Sequence, residues 1–587
     1  MDCQTRSVNA AALTSRPATT GYRTIHSRAW LAVFLCLSLA TSSGCATGRS
    51  AVWRSPPIPS ATSVTGNPAE IALATAAHAE QLGQANATDL YYHTAILAWQ
   101  QMTSGEPANG LPSSPHLQAI YRHAIGRWLE TAQHYGRWTP GQGIDVSTDV
   151  GMVRIPIAPE GFPWEPEEFE ELHPIGEYES PSLSRYHRRD GLGSPLVVRK
   201  CNRTELRPGD RFLPRHVSFS ATALLRPQVD DGTGGPPAVL ELWNPYTTHA
   251  VPGPSGTAGL ATDTSAVFAF RELSLGSVPT PFEMFVRPDE HRDSEGLYFF
   301  EPHQPGKIPV LFVHGLMSSP RTWIDMANEL RANPEFNARY QIWAFDYATG
   351  KNFLRAAAEL RQALCEADAE LAAYGDDPSR HQMVLVGHSM GGLVSKMQVT
   401  RSGTHLWDSI ANLPLDQVQM NDQYRRQLAK VFFFEPLPQV QRVVFIATPH
   451  RGSALASRLT GRWSSALIRR SPFENGLHQQ LIVSNPGVFR WSVFWRFPNS
   501  IDMLEPEHPL AQAVDDLPIS DHVKVHTIAG TGYMTTGFET GDRVVPLSSA
   551  VHCRAETELQ IKATHTHIHR TPEAVNELLR ILAEHPY

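Results

Sequence analysis

The clearest chemistry in the chain lies in Gly387-His388-Ser389-Met390-Gly391, with Gly392 directly behind it. The run follows an apolar stretch at 383–387 and leads into residues with helical character. A strand that turns abruptly into a helix presents the residue at the turn, and glycines are what such a strained corner tolerates. Ser389 is therefore the candidate nucleophile, in preference to a serine buried for structural reasons. A serine hydroxyl is a weak nucleophile until a histidine takes its proton and an acid orients that histidine. The chain must supply both.

A serine so placed needs a sheet behind it. After residue 301 the sequence alternates strand and helix patterns: IPVLFVHG (308–315), a helix around 320–331, then YQIWAFDY (340–347). A further helix places Phe353, Ala357, Leu360, Leu364, Ala367, Leu371 and Tyr374 on one face. MVLVG (383–387), RVVFIATP (442–449), VKVHTIAG (523–530) and LQIKAT (559–564) supply more strands, and a closing helix fills 572–585. This alternation predicts an α/β fold with a doubly wound, mostly parallel sheet over 301–587. Two insertions interrupt it near 403–438 and 454–518.

Four segments together resemble the α/β-hydrolase superfamily: His314-Gly315-Leu316, the GHSMGG elbow, Ala447-Thr448-Pro449-His450-Arg451-Gly452-Ser453, and Gly541-Asp542-Arg543-Val544-Val545-Pro546. Within it they are most similar to lipases and to enzymes that deacylate GPI-anchor inositol. The resemblance covers about half the chain and implies the chain order Ser, then Asp or Glu, then His. Asp542, in a turn after the 523–530 strand, is the acid implied, with Glu435 and Asp502 as the next candidates. The base should follow the last strand, where HTHIH offers His565, His567 and His569; His565 is nearest the strand end and matches the pattern of related hydrolases. If that stretch were extended, its three histidines would share a face and could hold a metal. One of them is already accounted for by the triad, so no metal is expected. The resemblance implies an oxyanion hole from the N–H groups of Leu316 and Met390, with His314 and Gly315 shaping the first loop. His388 reads as structural.

Composition narrows the function. With 41% hydrophobic and 18% charged residues the chain is not disordered as a whole, and a net charge of −8 without basic runs argues against a nucleic-acid partner. The six cysteines include no CxxC pair, which excludes a zinc ribbon. Residues 29–40, AWLAVFLCLSLA, follow Arg23 and Arg28 and are too short for a comfortable membrane span but suit a secretory signal. Ser42-Ser43-Gly44-Cys45 resembles a bacterial lipobox. The expectation is a signal peptide at 1–44, lipidation of Cys45, and export to the cell envelope, with the outer membrane as the expected site and the lipid anchor as its hold on the membrane.

The front half reads as a tether (45–68), a helical region (69–136), an irregular Pro- and Glu-rich connector (137–205) and a β-rich, sandwich-like domain (206–300). In the helical region YHTAILAW (92–99) echoes YRHAIGRW (121–128), favouring two amphipathic helices with aromatic core positions over a helical repeat. FSATALLRP, AVLELWNP, AVFAFREL and FEMFVRP read as the strands of the β-rich domain. A partner for this half is not legible. The 454–518 insertion carries Trp463, Phe473, Phe489, Trp491, Phe494, Trp495 and Phe497, either an apolar lid or the core of a cap. The leading expectation is an exported serine hydrolase of carboxylic esters, lipid esters among them, working without a cofactor. An acyltransferase using the same residues, or a catalytically idle envelope scaffold, are the alternatives.

Overall fold

The computed structural model describes residues 52–54, 67–104, 115–149, 151–202, 207–229, 235–274, 295–453, 472–490, 498–536 and 538–586. The signal segment and Cys45 lie outside these, as does FEMFVRP.

Three helices open the described chain, α1 (Pro68–Gln81), α2 (Ala87–Ser104) and α3 (Pro115–His134). The repeated Tyr and Trp pattern has a packing reason. Tyr92 of α2 meets Trp128 of α3 with ring centroids 5.8 Å apart, and Trp99 meets Tyr121 at 5.6 Å. Reciprocal contacts of this kind require the two helices to run antiparallel.

The expected connector at 137–205 is not irregular. It forms a three-stranded meander (Trp138–Thr139, Gly143–Thr148, Gly151–Ile155) and then contributes three strands to a five-stranded sheet. That sheet runs, in spatial order, Ile157–Glu160, Ala238–Trp243, His216–Pro227, Ser194–Cys201 and Glu171–Pro174. Ile157–Glu160 and Glu171–Pro174 have only four residues each, too few for a period to mark them in the sequence. Nor is the β-rich region a sandwich. AVFAFREL, read as a strand, lies in helix α4 (Ala266–Ser274). Leu196 and Val198 join the core that holds α1–α3, whereas Val197 joins the core that holds Ala266 to Phe270. Alternate residues of a strand point to opposite faces, so the sheet carries helices on both. The expected tether at 45–68 is also partly built in: Val52–Trp53 pairs with Tyr178–Glu179, and Trp53 stacks on Tyr178 at 5.7 Å and meets Phe270 edge-on at 5.1 Å.

The second sheet begins at 296 rather than after 301. Its strands are β1 (Gly296–Phe299), β2 (Ile308–Val313), β3 (Tyr340–Asp346), β4 (Met383–His388), β5 (Val440–Ile446), β6 (Lys524–Thr531) and β7 (Thr557–Lys562). Their order is β1-β3-β2-β4-β5-β6-β7, all parallel except β1, which runs antiparallel to β3. Every residue of β2, β3 and β4 is buried, as a sheet covered on both faces demands. Helix α5 (Phe353–Leu371) starts at Asn352, whose side chain accepts the Leu354 N–H (2.8 Å), and buries the apolar stripe read from the sequence. Helix α6 (Met390–Lys396) follows β4 directly, and α7 (Pro572–Ala583) closes the chain. Residues 46–587 form one compact body, and one of its two large cores runs from Ala69 to Val525, spanning both halves.

One buried tyrosine ties the front helices to their sheet. At Ala223 the pairing of His216–Pro227 with Ser194–Cys201 ends. Two residues on, the Tyr121 hydroxyl donates to the Leu225 carbonyl (2.8 Å) and accepts the Leu225 N–H (2.9 Å), standing in for the missing strand. Tyr121→Phe strands both backbone groups in a dry site, so it should lower the unfolding free energy by about 1–3 kcal/mol. Urea denaturation with an unchanged slope and a lower midpoint is the expected result; an unchanged midpoint would contradict this account.

Candidate active site

The turn between β4 and α6 places Ser389 at φ +54°, ψ −127°. Its N–H donates to the Ile446 carbonyl (2.9 Å) and its own carbonyl accepts from Gly392 N–H (2.9 Å). Glycine is required on the helix side of this corner. A Cβ on Gly391 would lie 2.3 Å from the carbonyl oxygens of Val313 and His314, and one on Gly392 would lie 1.8 Å from Thr448 Oγ1.

The three residues read as a triad from the sequence come together here. His565 Nε2 lies 2.8 Å from Ser389 Oγ, and His565 Nδ1 lies 2.7 Å from Asp542 Oδ2. Asp542 is almost wholly buried; its other oxygen accepts the N–H groups of Val544 (2.9 Å) and Val545 (2.7 Å). Burial alone would raise its carboxyl, but His565 and the two backbone donors outweigh that and hold it below the usual carboxylate range. A carboxylate can only accept, so Nδ1 of His565 carries the proton and Nε2 is left to accept from the serine hydroxyl. The arrangement can deprotonate Ser389 and hold the resulting imidazolium.

The other histidines of HTHIH point elsewhere. His567 is exposed, and His569 is buried with Nε2 at 2.8 Å from Thr322 Oγ1. The stretch is a turn running into a 3-10 helix (Ile568–Arg570), not an extended segment, so its three histidines share no face. Among the described residues no cluster of three His, Cys, Asp or Glu side chains is arranged to hold a metal ion. The alternative acids are engaged away from His565: Glu435 is exposed against Arg401 (2.7 Å), and buried Asp502 accepts the Asn499 N–H (2.9 Å).

The loop after β2 approaches the nucleophile closely. A Cβ on Gly315 would sit 2.9 Å from Ser389 Cβ. Among the described residues the N–H groups of Leu316 and Met390 have no hydrogen-bond partner, which leaves both donors available beside the serine. Sequence reasoning did not find the residues that hold this loop. Met317 adopts φ +51° and donates its N–H to the buried Thr349 Oγ1 (3.1 Å). Tyr347 stacks on His314 at 4.5 Å and donates its hydroxyl to the His314 carbonyl (2.8 Å), while Asp346 lies 3.2 Å from His314 Nε2. Another support braces the acid: Ser453 Oγ donates to the Val544 carbonyl, and Ser549 Oγ to that of Gly452 (2.7 Å). Of the aromatic insertion, Phe489 packs against Trp407 at 6.1 Å; Trp463, Trp491, Phe494, Trp495, Phe497 and the Phe473 side chain lie outside the described residues.

Residues 310–578 match the alpha/beta hydrolase family. The C-terminal half is an α/β-hydrolase domain. Its sheet order, with one antiparallel edge strand and the elbow after β4, agrees with that assignment. Three solved structures illustrate the likeness. The mature form of the Bacillus licheniformis lipase BlEst2 is 20% identical over 49% of this chain and 97% of its own, with a TM-score of 0.30. The Staphylococcus hyicus lipase is 14% identical over 48% and 96%, TM-score 0.29. EstA from Clostridium botulinum is 13% identical over 52% and 98%, TM-score 0.30. No curated protein sequence is significantly similar to this chain.

Around the triad the hydrolase domain buries histidines in neutral form. His388 is pushed down to about 3 by burial and then by its neighbour His565; its Nε2–H donates to the His565 carbonyl (2.9 Å). Burial likewise takes His552 to about 3, His526, His303 and His585 to about 4, and His569 and His450 well below the ordinary value. The unfolded chain binds a proton at each of these near pH 6.5 and the folded chain does not. Their effect on stability is therefore nil above about pH 7 and grows unfavourable as pH falls from 6.5 toward 4. Each opposes folding more strongly as pH falls through that window. Thermal unfolding scanned from pH 7.5 to 4.5 should show a midpoint that holds steady and then drops steeply below pH 6. A flat profile would mean these rings are protonated in the folded protein.

Proposed function

We propose that the α/β-hydrolase domain cleaves carboxylic esters, lipid esters among them, through an acyl-enzyme on Ser389. What carries the reading is the continuous hydrogen-bond path from Ser389 Oγ through His565 to Asp542. Ser389 Oγ attacks the ester carbonyl as its proton passes to His565 Nε2. Asp542 holds the imidazolium that forms, and the N–H groups of Leu316 and Met390 receive the oxyanion. His565 then returns the proton to the leaving alcohol, and water, deprotonated by the same ring, releases the acid.

Residues 46–587 assayed on p-nitrophenyl esters of graded chain length provide the test. Ser389→Ala should lose on the order of 10⁴-fold or more in kcat, and Asp542→Asn, which favours the wrong tautomer of His565, roughly 10⁴-fold. The chain-length profile then separates an esterase from a lipase. Acyl transfer to glycerol in preference to water would replace hydrolase with acyltransferase. Failure both to turn over esters and to label with a fluorophosphonate would leave the scaffold reading instead.

The same proposal includes export and lipidation of Cys45, supported by the apolar run at 29–40 and the Ser-Ser-Gly-Cys sequence that ends it. The full chain expressed in a bacterial host should incorporate radiolabelled palmitate and fractionate with membranes, and Cys45→Ala should abolish both. Incorporation that survives the substitution would refute lipidation at this site.

A further inference from the structure

The loop after β2 has a hold besides its hydrogen bonds from Thr349 and Tyr347. Ile501 is buried and packs against Leu316 and Met317 in a small apolar cluster apart from the two large cores. Leu316 also borders the core that spans both halves, so its side chain is in contact with both. Met317, at φ +51°, has a conformation that a non-glycine residue keeps only under constraint. Among the described residues the Leu316 N–H has no hydrogen-bond partner to aim it. Its direction is therefore set by how the side chains of Leu316 and Met317 pack.

Ile501 is itself firmly placed. It belongs to residues 498–504, near the end of the second insertion, where Asn499 Oδ1 accepts the N–H groups of Ile501 (3.0 Å) and Asp502 (3.1 Å). Asp502 Oδ2 accepts the Asn499 N–H (2.9 Å) in return. Two bonds fix this segment to the loop after β3, the one that carries Thr349. Asn352 Nδ2 donates to the Pro498 carbonyl (3.1 Å), and Ser500 Oγ to that of Lys351. At the other end the Leu504 carbonyl accepts the Ser453 N–H (2.9 Å), and Ser453 Oγ donates to the Val544 carbonyl beside Asp542. Glycine is needed next to this contact, since a Cβ on Gly452, at φ +76°, would lie 2.6 Å from the Leu504 carbonyl oxygen. One short segment thus joins the loop bearing Leu316 to the turn bearing the acid.

An oxyanion donor lowers a barrier only if it is aimed before the charge forms. We propose that Ile501 is a positioning residue for ester cleavage. Its side chain holds Leu316 and Met317 so that the Leu316 N–H faces the oxyanion, and residues 498–504 keep that loop in register with Asp542. Ile501 acts through Leu316, not on the substrate. This role rests on the ester-hydrolase reading of the site.

Residues 46–587 assayed on p-nitrophenyl acetate keep acyl-chain contacts out of the measurement. Ile501→Ala gives the loop room to relax, so kcat should fall about 10–100-fold with KM within about twofold, up to the lower end of what losing an oxyanion donor causes. Ile501→Val keeps most of the contact and should stay within about threefold of the wild type. An alkylboronic acid forms a tetrahedral adduct with Ser389 whose oxygen takes the place of the oxyanion, so its affinity should fall by the same factor as kcat/KM. A change that merely loosened the fold would lower the thermal midpoint and leave that affinity unchanged in the folded enzyme. Ser500→Ala, which frees the segment from Lys351, should lower kcat and boronate affinity about threefold or more, and it keeps the test intact if Ile501→Ala does not fold. Unchanged kcat and boronate affinity in the folded variants would overturn the proposal while wild-type turnover left the hydrolase reading standing. A raised KM with kcat intact would also overturn it, by making Ile501 a substrate contact. A wild type inert on esters and unreactive to fluorophosphonate would remove the hydrolase reading, and this role with it.

Discussion

The backbone at Ser389 is the constraint on which the rest of the site depends. A non-glycine residue at φ +54° costs on the order of 1–3 kcal/mol, and it persists only where its surroundings leave no alternative. Here three strands impose it. β4 delivers the residue, β5 takes its N–H at Ile446, and β2 receives α6 so closely that Gly391 must have no side chain. The same missing atoms set the distance between nucleophile and neighbouring loop, since Gly391 lies against the His314 carbonyl and Gly315 against Ser389 itself. The elbow and the loop bearing Leu316 are therefore one packing unit. Strain at the corner is held by contacts that also fix the N–H groups of Leu316 and Met390, the oxyanion donors of the proposed mechanism.

The second requirement is that proton transfer to His565 meet little opposition. In the proposed mechanism His565 becomes cationic, and a charged neighbour would resist this. His388 is that neighbour, its ring centroid 4.9 Å away. Burial keeps it neutral, and it spends its one ring proton on the His565 carbonyl. It thus fixes the loop that carries the base without competing for the charge. His569 extends the same solution one layer further, 4.6 Å from His388 and hydrogen-bonded to Thr322. The acid is treated oppositely. Asp542 is buried yet kept ionised, because both of its oxygens are filled by donors.

How much of this could be read from the residues follows from the range of the forces involved. Buried parallel strands are near-continuous apolar runs, so β2 to β6 were visible, and chemistry attached to their ends came with them: Ser389, Asp542 and His565 each sit just past a recognisable strand. Thr349, Tyr347 and Ser453 were not visible, because nothing local distinguishes a threonine that caps a loop 32 residues upstream from any other. AVFAFREL illustrates a different failure. Its β-branched and aromatic content suits a strand, but packing of Ala266, Phe268 and Ala269 in the second core decides for a helix. The metal reading of HTHIH assumed extended backbone, and the chain turns there instead. Most strands of 137–205 have only two to six residues, too few to display a clear period; the eight-residue Ser194–Cys201 is the exception.

The front half is bound to the hydrolase domain by polar contacts as well as by shared core. Gly209 N–H donates to Glu370 Oε1 (2.6 Å) at the end of α5, and a Cβ there would press on Leu371. Ser184 donates to Asp325 through both N–H (2.8 Å) and hydroxyl (3.0 Å), and Ser265 Oγ donates to Asn328 (2.7 Å). Arg570, the last residue of the helical turn that follows His565 and His567, donates to the Ser182 carbonyl (3.0 Å). Asp325, Asn328 and Ser265 are buried, so separating the halves would expose paired polar groups and apolar surface together. A front half removed would leave α5 without its cover and the His565 loop without one of its anchors. The two halves are thus a single folding unit in which the β-rich region is part of the scaffold of the site.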